Sequence, residues 1–168
     1  LRLQEINERF SRMGSVPKME TVEVKTVLED LKSYFQRRLP SSAGNVRLRV
    51  KSQEATVTTS PTLLTWVLEN LIKNAVDSID KESGKVTLRS EIMDTEVSIS
   101  VNDNGRGIVR RDWKNVFRPG YTTKERGWGV GLSMVQRIVE DFLEGSIQIK
   151  SSEIGKGRSI EIRLPYVS

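Results

Sequence analysis

The chain has 168 residues, 36% of them hydrophobic and 29% charged, with a net charge of +5. That composition fits one soluble globular domain plus a short extension. No apolar run reaches the roughly 18 residues that a membrane-spanning helix needs, and no charged-then-apolar secretory signal opens the chain. There is no cysteine and no histidine, which excludes disulfides, Cys- or His-based metal sites and histidine catalysis within these residues. The first residue is Leu1, so the chain is expected to be a piece of a longer protein. Between Arg106 and Arg126 seven basic residues face two acidic ones, which accounts for the whole net charge. So local an excess suits a small anionic ligand better than nucleic acid, although a solvated basic loop has the same composition.

Leu3, Ile6, Phe10 and Met13 recur at helical spacing, which predicts the tail of a helix that packs on another helix. Gly14, Ser15 and Pro17 end it, and residues 1–19 are taken as this tail with a linker. The domain proper is expected over 20–168. A helix is predicted from about Val24 to Leu39, stopping at Pro40. Val46, Leu48 and Val50 alternate as a half-buried strand, with Thr56–Thr58 expected as its hairpin partner. Ser60-Pro61 reads as a helix cap followed by proline at the first helical position, opening a helix to about Ile79. Two strands, through Val86, Leu88 and Ile92 and through Val97, Ile99 and Val101, should turn at Asp94-Thr95. A short helix is predicted around Arg110–Val116 and a longer one from Leu132 to Phe142. Ile147 and Ile149, then Ile160, Ile162 and Leu164, form a terminal hairpin around Gly155 and Gly157. This order of elements implies an α+β two-layer sandwich, a mostly antiparallel sheet packed on helices.

Three segments carry candidate chemistry. On the helix from Pro61, residues Asn70, Asn74 and Asp77 form a narrow stripe bordering a broad apolar arc. An amide oxygen there suits Mg²⁺, which binds phosphates and one or two protein groups. Taken alone, the pair also fits an idle polar edge. Asp103, at the end of a strand and followed by Asn104-Gly105-Arg106-Gly107, can accept from an exocyclic amine, with glycines that let backbone approach a planar ring. The same residues also make ordinary turns. Gly127-Trp128-Gly129-Val130-Gly131-Leu132 stands just before a helix, where exposed N–H groups favour phosphate. Neither G-x-x-x-x-G-K-[ST] nor G-x-G-x-x-G occurs there.

Together the segments resemble the ATP-binding domain shared by sensor histidine kinases, type II topoisomerases, MutL and heat-shock chaperone ATPases, which has the Bergerat fold. The Asn70–Asp77 stretch resembles the family's N box, and Asp103–Gly107 its first glycine box. Phe117-Arg118-Pro119-Gly120-Tyr121-Thr122-Thr123-Lys124 resembles the F box, and Gly127–Leu132 the second glycine box. The resemblance covers about residues 20–166, and the Thr-Thr-Lys lid with G-x-G-x-G-L points to histidine kinases. It implies Asn74 on the Mg²⁺ that bridges the ATP phosphates, with Asn70 in support, and Asp103 on the adenine amine. Gly105, Gly107 and Ile108 would shape the base pocket. Thr122, Thr123 and Lys124 would belong to a mobile lid, Lys124 near the phosphates together with Asn74. Gly127, Trp128, Gly129, Val130, Gly131 and Leu132 would form the phosphate loop and helix start.

Two positions depart from the pattern. Asp77 stands where some members carry a basic residue, as in nitrogen-regulator-like kinases. Gly157 is followed by Arg158 where many relatives have Thr or Ser, and Ser159 should point to the opposite face. No side chain of this strand is therefore expected at the adenine. The resemblance further implies ATP and ADP as ligands, a histidine-bearing dimerisation domain preceding this chain, a response-regulator receiver domain as partner, a homodimer of the full-length protein and a cytoplasmic location. The rival readings are a non-enzymatic ATP-binding module, a Ser/Thr kinase of the anti-sigma type and, more remotely, a DNA-binding module.

Overall fold

The computed structural model describes residues 18–39, 46–80, 83–119 and 131–166. Three of the predicted helices form among the described residues. Helix α1 (Val24–Arg38) buries Val24, Leu28, Leu31 and Phe35 along one stripe, the i, i+4, i+7 pattern of an amphipathic helix. It stops one residue short of the expected end, because Leu39 precedes a proline and takes an extended backbone. Helix α2 (Pro61–Asp77) begins as expected, with Ser60 Oγ accepting from the Leu63 N–H at 3.2 Å and Pro61 at the first position. It ends before Ile79, where the Ser78 hydroxyl turns back onto the Ala75 carbonyl. Helix α3 (Leu132–Asp141) buries Leu132, Val135, Ile138 and Val139.

Five strands form the main sheet: β2 (Arg47–Ser52), β4 (Lys85–Met93), β5 (Glu96–Asp103), β6 (Ser146–Glu153) and β7 (Gly157–Pro165). Their spatial order is β2-β4-β5-β7-β6, with β2 parallel to β4 and every other pair antiparallel. Leu48, Val86, Leu88, Val97, Ile99, Val101, Ile160 and Ile162 bury one face of the sheet in a single core with all three helices. This is the two-layer α+β arrangement that the order of elements implied. The β4–β5 turn falls at Asp94-Thr95, with Asp94 in the left-handed region at φ 45°.

Two expectations are corrected. The pairing of the Val46–Val50 strand with Thr56–Thr58 does not occur. β3 (Thr56–Thr59) instead joins β1 (Glu20–Glu23) in a separate antiparallel pair, Val22 opposite Val57. The intervening Gln-Glu-Ala offers no residue suited to a tight hairpin turn. Gln53 continues the β2 edge onto β4 instead, its N–H on the Ser90 carbonyl and its side chain accepting from Ile92 N–H. β1 itself has a single buried residue, Val22, and so left no alternation to read. The predicted helix at Arg110–Val116 is two short 3₁₀ turns, Arg110–Asp112 and Asn115–Phe117. Between them Trp113 donates its indole N–H to the Ile108 carbonyl and lies under the Arg110 guanidinium, which fixes the break.

The face of the sheet away from the helices is polar, and it holds a carboxylate. Glu161 is 1% exposed. It accepts from Ser98 Oγ at 2.6 Å, Gln148 Nε2 at 2.9 Å and Arg163 Nε at 3.0 Å. Burial opposes its charge, but those hydrogen bonds and the Arg163 charge prevail and hold the carboxyl below its ordinary 4.5. A depressed folded-state value adds stability above the unfolded value, lost as pH falls through the folded one. Glu161→Gln is therefore expected to cost about 1–3 kcal/mol at pH 7. Its stability should also fall less than that of the wild type between pH 5 and lower pH. Urea unfolding across that range checks this, and parallel pH curves for the two proteins would refute it.

Candidate functional site

The site is built where the sheet meets the C-terminal end of α2. Asp103 closes β5 on the helix-facing side, in line with Val97, Ile99 and Val101. Its side chain is 1% exposed. Oδ1 accepts from the Gly105 N–H at 2.9 Å, an Asx-type turn that aims the carboxylate. Oδ2 accepts from Arg158 Nε at 3.1 Å. The segment after Asp103 is pinned to α2 by Arg106 N–H on the Ser78 carbonyl at 2.9 Å.

Glycine is required in this corner by close approach. A Cβ on Gly105 would lie 2.4 Å from the Ser78 carbonyl oxygen. At Gly157, φ is +121° and a Cβ would fall 1.8 Å from the Asp103 carbonyl oxygen. The β6–β7 hairpin thus presses its backbone onto Asp103, and only glycine leaves the space. Gly107 sits against the Glu153 backbone on the same hairpin. Ile108 donates its N–H to Ser152 Oγ, which donates on to the Gly157 carbonyl.

On α2, Asn70 is buried and turns its amide N–H back onto the Trp66 carbonyl at 2.7 Å. Asn74, one turn later and half-buried, makes no side-chain hydrogen bond among the described residues. Its amide oxygen is a donor of the kind Mg²⁺ takes alongside phosphate oxygens and water, so the residue type fits that ion. Gly131 caps α3 with an extended backbone and no side-chain cap, and Leu132 packs into the core. The first N–H groups of α3 are left to other acceptors. Thr122, Thr123, Lys124, Gly127, Trp128, Gly129 and Val130 lie outside the described residues.

The structure therefore brings Asp103, Gly105, Gly107 and Ile108 together around one corner. It adds two residues that the sequence reading did not single out, Ser78 and Ser152. Ser159 does face away, opposite Asn102 and beside Ser98 and Ser100 on the polar side. Arg158, noted above as the residue that follows Gly157, is the register partner of Asp103 and stands on the same face of the sheet.

Residues 59–168 match the profile of the histidine kinase-, DNA gyrase B- and HSP90-like ATPases. The chain belongs to this family. The sensor histidine kinase ZraS of Salmonella typhimurium is 31% identical over 151 residues, which are 89% of this chain and 32% of that protein. The catalytic domain of the histidine kinase ThkA superposes with a TM-score of 0.76 at 26% identity, covering 89% of this chain and 96% of that one. Full-length ShkA, solved in complex with AMPPNP, shares the fold at a TM-score of 0.76 and 24% identity, over 95% of this chain and 34% of ShkA. Within the ATPase family the chain is thus a catalytic ATP-binding domain of the sensor histidine kinase type. It spans 22% to 32% of the length of its ZraS relatives. No helix among the described residues is long and apolar enough to cross a membrane.

The close approach at Gly157 yields a test. Gly157→Ala is expected to cost on the order of 3 kcal/mol, combining an unfavourable φ with a clash on backbone. Gly155→Ala shares the positive φ (+81°) but meets nothing within 4 Å, so only the conformational cost of about 1–2 kcal/mol applies. Equal losses in urea unfolding would show that β7 does not press on Asp103.

Proposed function

We propose that this ATPase-family domain holds Mg-ATP and presents its γ-phosphoryl group to a histidine outside these 168 residues. The observation that carries the reading is Asp103. A carboxylate buried to 1% exposure and aimed by Gly105 is an acceptor suited to the adenine amine, and the glycine backbone of Gly105 and Gly107 lets a planar base lie close. Ile108 adds apolar surface to the same corner. Asn74 would hold Mg²⁺, with Asn70 stiffening the helix edge beside it. The ion, when bound, screens the charge of the phosphates. Thr122, Thr123 and Lys124 would close over them, with Lys124 countering negative charge during transfer. Gly127, Trp128, Gly129, Val130 and Gly131, with Leu132, would supply the loop and the N–H groups of α3. Transfer of this kind rests on positioning and charge stabilisation rather than on covalent chemistry by the protein.

The acceptor belongs to a dimerisation helix pair, for which residues 1–19 serve as tail and linker, with 20–168 as the catalytic unit. The full-length protein would be a cytoplasmic-facing homodimer, where ATP is available, passing its phosphoryl group to a receiver domain of a response regulator. A kinase on this family's fold that modified Ser or Thr would need no such partner, so the two readings separate on the acceptor.

Incubated with γ-labelled ATP, the chain alone is expected to acquire no acid-labile label, since it has no histidine. Added to the parent's histidine-bearing helix pair, it should label that pair, slowly, because separate chains lack the roughly millimolar effective concentration of tethering. Stable label on the chain itself would indicate a Ser/Thr kinase. No transfer at high concentration would indicate a regulatory ATP-binding module.

Asn74→Ala is expected to abolish the gain in ATP affinity that Mg²⁺ brings, while leaving Mg²⁺-free binding within about threefold. Calorimetry with and without the ion decides, and an unchanged Mg²⁺ gain in the variant would remove Asn74 from the metal site.

A further inference from the structure

Arg158 stands opposite Asp103 in the β5–β7 register, on the face that carries the site. Its Nε donates to Asp103 Oδ2 at 3.1 Å. The guanidinium is planar, and Nη2 leaves it on the same edge as Nε–H, so Nη2 also stands beside the carboxylate. Nη2 is buried and has no hydrogen-bond partner among the described residues. A cationic N–H buried without an acceptor is costly, and costlier where water competes little. The two side chains are 11% and 1% exposed, so water competes little here. The floor of the site therefore sets an acceptor, Asp103, next to a donor that lacks one.

Adenine presents the complement of that pair. Its 6-amino group donates, and the neighbouring N1 accepts. Guanine reverses both, with a carbonyl at position 6 and an N–H at position 1, and in the same pose would set carbonyl against carboxylate and N–H against guanidinium. We infer that Arg158 is a base-reading residue of this domain: Nη2 donates to adenine N1 while Asp103 accepts from the 6-amino group. The inference rests on the assignment of Asp103 to the base made above. It makes selection of ATP the work of two side chains on neighbouring strands, with Arg158 holding Asp103 through Nε and reading the base through Nη2.

Calorimetry on the 168-residue chain tests this with ATP and 1-deaza-ATP, in which N1 is replaced by C–H and the 6-amino group is kept. The wild type is expected to bind 1-deaza-ATP about tenfold or more weakly than ATP, the effect of one hydrogen bond to a charged donor. Arg158→Lys keeps a cation for Asp103 but loses the second donor on the shared edge, and should bind the two nucleotides within about twofold of each other. Arg158→Met, without any donor, should do the same provided its circular dichroism is native. The wild-type comparison needs no substitution, so a variant that fails to fold leaves the test standing. Equal binding of the two nucleotides by the wild type overturns the inference, as does an undiminished preference for ATP in Arg158→Lys. Tighter ATP binding by Arg158→Met would also overturn it, because Arg158 would then obstruct the base. Asp103→Ala, provided its circular dichroism is native, is the separate control on the underlying assignment. It should lose the preference for ATP over purine riboside triphosphate, which lacks the 6-amino group. A preference kept there would refute the role of Asp103, whatever Arg158 does.

Discussion

Burying the Asp103 carboxylate at the end of β5 places demands on everything around it. A charge withdrawn from water must be met by donors held in fixed positions, or its desolvation goes uncompensated. Gly105 supplies one donor from the turn that follows, and Arg158 supplies another from the neighbouring strand. Each donor needs a particular backbone path. The turn after Asp103 must pass against the Ser78 carbonyl at the end of α2, which leaves no room for a side chain at Gly105. The β6–β7 hairpin must come close enough for Arg158 to reach, which leaves none at Gly157. Gly105 and Gly157 are in that sense the consequence of one buried carboxylate.

The sheet carries a second sealed carboxylate, Glu161, and comparing the two separates structure from function. Glu161 lies on the face away from the helices and is enclosed by Ser98, Gln148 and Arg163, with Lys150 at 3.7 Å. Every one of these partners is a side chain of the same sheet, and the network closes on itself. Asp103 is met less completely. Its arginine holds it by one nitrogen, while the adjacent nitrogen stays buried without an acceptor among the described residues. Networks that close rigidify a fold, and networks left one partner short are where ligands complete the set.

The layered architecture explains how one corner serves an ATPase-type domain. The inner face of the sheet and the three helices share a continuous apolar core, which fixes α2 against β5. Asn74 and Asp103 are thereby carried on elements that share one core, as the nucleotide and metal site that we propose would demand. The small β1–β3 pair is fastened separately, through Val57 bridging to Tyr166 beyond the end of β7. The span shared with ZraS of Salmonella typhimurium is 32% of that protein's length. The division of labour between nucleotide site and phosphoryl acceptor that we propose is consistent with a chain that contains no histidine.

What the sequence determined by itself was everything encoded in neighbouring residues. The 3.6-residue spacing of Val24, Leu28, Leu31 and Phe35 and of Leu132, Val135, Ile138 and Val139 specified helices, and Ser60-Pro61 specified where α2 starts. Asp94-Thr95 and the glycines at 155 and 157 marked two hairpins, and the order of glycine and asparagine motifs pointed to the ATPase family. The tertiary structure alone decided what depends on partners distant in sequence. β2 and β3 are separated by three residues yet enter different sheets, because Gln53 extends β2 onto β4 while Val57 finds Val22. Nothing local distinguishes that outcome from a hairpin, since a strand's own residues encode its faces but not its neighbour. Arg158 is the sharper case. The sequence shows only that it follows Gly157, and the β5–β7 register, joining residues 55 positions apart, sets its guanidinium on the Asp103 carboxylate.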